Sequence, residues 1–508
     1  MTDVLVVGGG PVGLLLAAEL KRAGADPLVL EAADGIERRT RSLGLRSLNT
    51  RSNQTLALRG LLEPLLDAQW AMFDQIAADS APDRADQVAL LVSAVRQGLA
   101  RGHFSGLPLL EDAGKQGAAA DYILLKQHLI ERILAEHATA LGVPIRSGRQ
   151  VIDVVDEGTG VRAVLADGTS LHAAYLVGCD GGRSTVRKQS GIDFPGTPPT
   201  ATGRTAVAEL ADPDAVTSSL RSPGGLLDLS LVPGEIATME FDGGPTDRDS
   251  SLTAEEMEAS IRRVSGQKPT VTRLEAGIRY SDNTRLAETY RRGRVLLAGD
   301  AAHVHSPMGG QGLNLGLQDA ANLGWKLALV VRGRAPERLL DTYTAERHPV
   351  AARVLRNTRA QTALMRPGPQ VDALREVISE VLEIPDVKQR FIDMANGLDV
   401  DYAPQSTYPL VGRFMPALET DVRNETSAAL CQGRGVLLDL KGSTWVHAAA
   451  DGFADRVQVV SPRGGAPGFA AVLIRPDGYV AWASPDNGSA DPAGLADALA
   501  DWFGPTAS

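Results

Sequence analysis

Residues Gly299 to Gly316, Gly-Asp-Ala-Ala-His-Val-His-Ser-Pro-Met-Gly-Gly-Gln-Gly-Leu-Asn-Leu-Gly, place one carboxylate, Asp300, shortly before a glycine-rich helix start at Gly309 to Asn314. An aspartate there can accept hydrogen bonds from the hydroxyls of a sugar-like chain. A helix N-terminus offers unpaired backbone N–H groups and roughly half a positive charge, which suits a ring that becomes anionic. Gly309, Gly310 and Gly312 let a flat ring approach the backbone, with Pro307, Leu313 and Asn314 around it. This is chemistry for a flavin: Asp300 for the ribityl chain, and Pro307, Gly309 and Gly310 as the environment of the reacting ring. Gly-Asp followed by glycines also makes ordinary turns, so the segment needs support from elsewhere.

The elements that must position it are legible. Val295 to Ala298 reads as a buried strand ending just before Asp300, and the helix after the glycines continues through Asp319, Asn322 and Trp325. At the other end of the chain, Val4-Leu5-Val6-Val7 is a second buried-strand pattern, followed by Gly8-Gly9-Gly10-Pro11-Val12-Gly13 and an Ala/Leu-rich helix through Arg22. In G-x-G-x-x-G the first glycine permits the turn, the second lets backbone approach a pyrophosphate, and the third allows close helix packing. Pro27 to Leu30 is the next strand, and Glu31, with Ala32 beside it, stands where an acid hydrogen-bonds ribose hydroxyls. Strand, glycines, helix, strand and acid in this order outweigh the isolated motif. Midway, Tyr175 to Gly178 is a short apolar strand followed by Cys179-Asp180-Gly181-Gly182-Arg183-Ser184-Thr185-Val186-Arg187, an acid-glycine turn into a basic helix.

These three segments resemble the fingerprints of the group A, single-component FAD-dependent aromatic monooxygenases of the para-hydroxybenzoate hydroxylase fold. The stretch His303 through Ala328, with Asn-Leu-Gly-Trp-Lys-Leu-Ala at its end, is most similar to the aromatic polyketide hydroxylase, rifampicin monooxygenase-like branch. The resemblance spans nearly the whole chain. It implies that Asp180 and Gly181 contact the cofactor, that Gln127 in Lys126-Gln127-His128-Leu129-Ile130-Glu131 contacts FAD, and that Arg41 in Arg-Ser-Leu-Gly-Leu lies near the pyrophosphate. The spacing from Arg41 to Arg51 is a few residues longer than the family pattern, which leaves Arg51 as an alternative. It also implies noncovalent FAD, NADPH or NADH as a transient co-substrate, and O2 activated as a flavin C4a-hydroperoxide that hydroxylates a phenolic, polycyclic polyketide. Baeyer-Villiger or epoxidising chemistry on the same scaffold, or a flavoprotein that binds an aromatic ligand without turnover, are the alternatives.

The fold class expected is α/β: a discontinuous Rossmann-like FAD-binding domain at 1–180 and 285–375, a β-rich substrate domain at 181–284, a helical connector at 376–404, and a C-terminal domain at 405–508. In the β-rich part, Leu226 to Leu231 and Glu235 to Glu240 alternate as strands, with turns at Pro223-Gly224-Gly225 and Pro233-Gly234. In the C-terminal part, Gly435 to Leu440, Val457 to Val460 and Ala471 to Ile474 read as strands, and Arg475 to Trp482 as a hairpin. The family's appendage here is thioredoxin-like. With no Cys-x-x-C it has no dithiol chemistry, so it reads as structural or as an oligomerisation surface, leaving a homo-oligomer open. Arg366-Pro-Gly-Pro369 predicts a helix break. Pro64 to Gly102 carries helical apolar spacing, either as a lid or as an amphipathic pair packed outside.

Composition sets further bounds. A chain of 508 residues, 44% hydrophobic, can bury several cores. Its formal charge of -11, without a basic patch, argues against nucleic acid. Cys179 and Cys431 give no disulfide framework. The apolar stretch Leu14 to Leu20 is too short to span a membrane, and no signal-peptide pattern precedes it, so a cytoplasmic enzyme with no membrane partner is expected. His303 and His305 lack a third ligand at metal spacing, so no metal is expected and both read as lining the flavin loop. No Gly-x-Ser-x-Gly elbow and no second G-x-G-x-x-G after a strand occur. No acid or base for substrate activation can be assigned from the sequence.

Overall fold

The computed structural model describes residues 2–34, 43–79, 92, 103–109, 122–212, 216, 220–229, 234–247, 250–416, 418, 420–461, 468–486 and 491–506. Val4–Val7 is a fully buried strand, and helix α1, Pro11–Arg22, follows with Pro11 at its first turn, where a missing N–H removes no helical bond. Pro27–Leu30 and Tyr175–Gly178 pair in parallel on either side of Val4–Val7, and Val295–Leu297 pairs in parallel with Tyr175–Gly178. Ile145–Arg146 and Arg291–Arg292 close the edges of this six-stranded sheet. Val7 registers with both Leu30 and Gly178, and Gly178 with Leu297. Four carboxyl ends therefore lie in one row, and Gly8, Glu31, Cys179 and Gly299 emerge from it. Open parallel sheets bind ligands at this edge.

Helix α2, Gln127–Ala140, packs against α1, and the short helix α3, Thr185–Gln189, follows the middle turn. Helix α4, Gln311–Val331, runs beside α1 and is buried along most of its length. A Cβ at Gly316 would lie 2.6 Å from Val12 Cγ2, and one at Gly324 would lie 2.4 Å from Glu19 Cβ. Glycine at both positions lets α1 and α4 touch nearly backbone to backbone. Helix α5, Asp341–Met365, lies across α4 and stops at Arg366, where the Pro-Gly-Pro sequence breaks it; a new helix starts at Pro369.

Leu65, Met72, Phe73 and Ile76 of the helix Leu62–Asp79 belong to the main core, so this part of the 64–102 segment is a packed structural helix. The remainder, 80–91 and 93–102, lies outside the described residues, as does Arg41.

A five-stranded antiparallel sheet forms the second layer, ordered Leu220–Ser222, Gly225–Leu229, Glu235–Glu240, Thr202–Leu210 and Val271–Ser281. The helix Ala254–Ser265, N-capped by Thr253, lays Met257, Ile261 and Val264 on Ala206, Leu227 and Ile236. Paired residues of antiparallel strands share a face. The row Gly203, Thr205 and Val207, with its partners Tyr280, Ile278, Ala276 and Met239, therefore faces away from that helix.

The C-terminal part holds a four-stranded sheet, Val457–Val460, Gly435–Asp439, Phe469–Ile474 and Val480–Pro485, with the first pair parallel and the rest antiparallel. It docks on α4 through Trp502 and Phe503, whose rings lie 6.3 and 5.9 Å from Trp325. Both cysteines are free. No helix among the described residues is long and apolar enough to cross a membrane.

Candidate active site

The first turn is built by contacts that admit no side chain. Gly8 sits at φ 111°, and a Cβ there would lie 2.3 Å from the Cys179 carbonyl oxygen. A Cβ at Gly13 would lie 2.0 Å from the Gly8 carbonyl oxygen. At Gly10, by contrast, a Cβ would meet nothing within 4 Å. Gly8 and Gly13 thus close the turn, and Gly10 leaves open space over the start of α1, a cradle that fits a diphosphate. Glu31 is fixed beside it, accepting from the N–H of Gly9 at 2.7 Å and of Ala33 at 2.8 Å. One bond to each carboxylate oxygen leaves lone pairs for ribose hydroxyls. Ala32 is exposed at the same edge.

The middle turn works differently. Asp180 accepts from Ser184 Oγ at 2.5 Å and from the N–H groups of Thr185 and Val186 at 2.7 and 3.1 Å, so its carboxylate caps α3. Burial raises its pKa against these bonds. Gly181, at φ 78°, has open space around it. Arg187 reaches from α3 to the Ala301 carbonyl at 2.8 Å and stacks over Phe194. The middle turn therefore grips the Asp300 loop from behind.

Asp300 itself is exposed on a single 3₁₀ turn, Gly299–Ala301, with Gly299 at φ 63°. Behind it Asp319 of α4 accepts from Gly299 N–H at 3.1 Å and pairs with His303 Nε2 at 2.6 Å, while Arg347 of α5 donates to its other oxygen at 2.8 Å. Burial would push the Asp319 carboxyl up, but the charges of Arg347 and His303 outweigh it and hold the pKa below the ordinary value. His303 is wholly buried and backs the loop; His305 points Nδ1 at the Ser306 carbonyl. Among the described residues no group of three or more His, Cys, Asp or Glu could hold a metal.

Pro307 and Gly310 are exposed, Gly309 and Gly310 lie at φ 83° and 62°, and α4 begins at Gln311, with Gly312 and Leu313 half-buried in its first turn. The Asn314 side chain faces inward. It accepts from the N–H of Asn49 at 2.9 Å and donates to the carbonyls of Ser47 and Gly310 at 2.8 and 2.9 Å, stapling the glycine loop to the strand Leu45–Leu48. Its contribution to a bound cofactor would thus be through backbone and loop shape.

Gln127, first in α2, accepts from Arg46 Nε at 3.0 Å and donates to Glu131 at 2.9 Å. Arg46 was not anticipated. Burial lowers its pKa, opposed in part by Asp300, Tyr280, Glu235 and Glu131. Arg51 lies elsewhere: its guanidinium is 4.1 Å from the Phe414 ring and donates to Gln54 and the Gly397 carbonyl. Asp319 and Arg347 also escaped the sequence, because helix spacing marks them as buried without saying what they hold.

The chain matches the FAD binding domain family over residues 1–358 and the aromatic-ring hydroxylase C-terminal family over 408–506. It belongs to the FAD-dependent aromatic-ring hydroxylases. Rifampicin monooxygenase of Streptomyces venezuelae is 40% identical over 519 residues, covering 99% of each chain. The solved structure of an anhydrotetracycline hydroxylase from Streptomyces rimosus superposes with a TM-score of 0.83 at 36% identity, covering 99% of each chain. Dialkyldecalin synthase of Streptomyces rugosporus is 33% identical over 100% of both chains. FAD is the cofactor of this hydroxylase family, and the Gly10 cradle, Glu31 and the exposed Asp300 fit its three sections in order: diphosphate, ribose and ribityl chain. The chain is a flavin-dependent aromatic monooxygenase, which acts with O2 on a small-molecule aromatic substrate.

Proposed function

We propose that this hydroxylase oxygenates a polycyclic phenol or quinone of polyketide type, with NADPH or NADH as reductant. When bound, FAD accepts hydride and activates O2 so that one oxygen atom enters the aromatic ring. The observation that carries the reading is the helix-free face of the second sheet, where Val207, Ala276, Ile278, Met239, Thr205 and Tyr280 lie on one side with the Glu235 carboxylate. Set over Asp300 and the Gly309–Gln311 backbone, it would cover the flavin ring. A broad apolar face with a few polar groups suits a flat, fused-ring ligand with hydroxyl or carbonyl substituents. The open N–H groups of the α4 start would stabilise negative charge on the reduced ring, and the second sheet would exclude water from it.

Rifampicin monooxygenase and anhydrotetracycline hydroxylase are named for substrates of this kind, which supports the substrate class. For the reductant, a cavity of about 460 Å³ opens beside the middle turn, lined by Arg183, Arg187, Lys188 and Arg285 against the single carboxylate of Asp193, and sharing Val304 with the flavin loop. Its cationic lining suits the diphosphate of a nicotinamide cofactor.

The test is NADPH oxidation with and without 1,8-dihydroxyanthraquinone and related polycyclic phenols under labelled O2. Substrate is expected to accelerate oxidation more than tenfold and label to enter the product, a barrier change above about 1.4 kcal/mol. Basal oxidation and unlabelled products with every polycyclic phenol or quinone tested would overturn this substrate class.

A further inference from the structure

A continuous run of buried contacts joins the C-terminal hairpin to the flavin loop. Arg475, at the hairpin turn, is 2% exposed and donates to both oxygens of Glu346 on α5, at 2.5 and 3.0 Å. Glu346 also accepts from Asn322 at 2.6 Å and Lys326 at 2.7 Å, both on α4. The next α5 residue, Arg347, donates to Tyr402 Oη at 2.9 Å as well as to Asp319. Tyr402 in turn stacks on Tyr479 of the same hairpin, ring centroids 4.4 Å apart. Asp319 holds Gly299 and His303, the residues that flank Asp300. Two neighbouring residues of α5 therefore tie one hairpin to α4 at two levels.

Buried ion networks are weak sources of stability, since apolar side chains of the same volume serve as well. What such a network specifies is geometry, because each guanidinium fork accepts one arrangement of carboxylates. Here the geometry is that of the loop carrying Asp300.

We propose that the Arg475–Tyr479 hairpin is a positioning element for the flavin: through Glu346, Arg347 and Tyr402 it fixes Asp319, and Asp319 fixes the Gly299–His303 backbone that aims Asp300 at the ribityl chain. The proposal rests on the reading that Asp300 holds FAD.

It is tested in the full-length protein by the FAD dissociation constant from flavin fluorescence, the visible spectrum of bound flavin, and the melting temperature of the apoprotein. Tyr402→Phe keeps the ring stack but removes the acceptor for Arg347. Arg475→Gln breaks the fork to Glu346, and Arg475→Lys restores its charge. Val460→Ala, in the core of the C-terminal sheet but on its edge strand, separated from the hairpin by the strand Gly435–Asp439, controls for general destabilisation.

Tyr402→Phe and Arg475→Gln are expected to weaken FAD binding at least tenfold and to shift the flavin bands, with partial recovery in Arg475→Lys. Val460→Ala should lower the melting temperature and leave both flavin readouts unchanged. Combining Tyr402→Phe with Asp319→Asn should weaken FAD less than the product of the single effects. A folded Tyr402→Phe with wild-type affinity and spectrum overturns the proposal, and so does Val460→Ala weakening FAD equally at matched loss of melting temperature. Should Arg475→Gln not fold, Tyr402→Phe decides alone. Asp300→Ala separates the two readings: if it leaves FAD affinity unchanged, the assignment of Asp300 has failed; if it weakens FAD while Tyr402→Phe does not, the hairpin inference alone has failed.

Discussion

The two glycine-rich helix starts meet the same requirement, backbone N–H groups left open to negative charge, by different means. At Gly8–Gly13 the backbone packs on itself and on the Cys179 carbonyl, so the turn is held by close contacts that a Cβ at Gly8 or Gly13 would break. At Gly309–Asn314 the glycines are held by side chains from distant segments: Asn314 binds Ser47 and Asn49, the Gln361 amide lies beside Gly309, and Asp319 ties down Gly299. The first site is rigid from local sterics. The second is assembled from the tertiary structure, and its geometry can be changed from a distance.

The sharpest way to break this contrast is a pair of substitutions in the first turn. Gly13→Val drives a branched side chain into the Gly8 carbonyl and should cost about 3 kcal/mol or more, read as loss of soluble protein or a large fall in melting temperature. Gly10→Ala faces open space, so the apoprotein should melt as wild type while FAD binding weakens where the diphosphate must approach. Equal stability loss in both variants would show that the turn is not divided into closing and cradling glycines.

At the second site Asp300→Ala comes next in size. Asp300 is exposed, so the apoprotein's melting temperature should stay unchanged. Loss of a charge-assisted hydrogen bond is worth about 1.5–3 kcal/mol, roughly a ten- to hundredfold weaker FAD. Wild-type FAD affinity in this variant would remove Asp300 from the cofactor site.

Gly310→Ala should be milder, about 1–2 kcal/mol, because its left-handed φ is strained for alanine and its new methyl meets the rotatable Ser47 hydroxyl 2.5 Å away. Ser47→Ala in the same chain should recover the contact part of that loss in melting temperature, leaving the backbone part. No recovery would mean that Ser47 does not set this loop. Gly310→Val, which also obstructs the ring, should uncouple NADPH oxidation from product formation.

The same division explains what the sequence disclosed. Gly8, Gly10, Gly13 and Glu31 act through local sterics and a strand-turn-helix order, and that order is written in neighbouring residues. The strand Val295–Leu297 and the break at Arg366–Pro369 were likewise legible from apolar runs and proline chemistry. Asp180 was visible as an acid in a glycine turn, yet nothing local tells a helix-capping carboxylate from one turned toward a cofactor. Arg46, Asp319 and Arg347 were missed because their partners lie far off in the chain: Arg46 meets Gln127, and Asp319 meets His303 and Arg347 across two helices. A lone charged residue in an apolar pattern carries no mark of such a partner. Asn314 shows the reverse case, a residue expected at the flavin loop whose side chain is spent on stapling the loop to Ser47.

The smallest expected effect tests whether the side-chain-held site is also the part of the molecule on which pH acts. Lys326 is fully buried, and burial brings its pKa down to about 8, against the pull of Glu346 in the opposite direction. In the unfolded chain the ammonium returns to its ordinary value of 10.5. Between these two values the unfolded chain binds a proton that the folded chain has released, so this group makes stability rise with pH through that window and contributes a penalty below it. From pH 7 to pH 9 the gain is about 1 kcal/mol, because most of the folded-state titration falls in that interval. Glu346, held down to about 2, keeps its charge and its Arg475 and Asn322 partners throughout. Urea unfolding of the apoprotein at pH 7 and pH 9 should therefore show a smaller upward change, or a larger fall, in Lys326→Met than in wild type, by about that 1 kcal/mol. Identical pH dependence in the two proteins would mean that Lys326 titrates alike folded and unfolded, and that the network behind the flavin loop is electrostatically as quiet as the glycine turn at Gly8–Gly13.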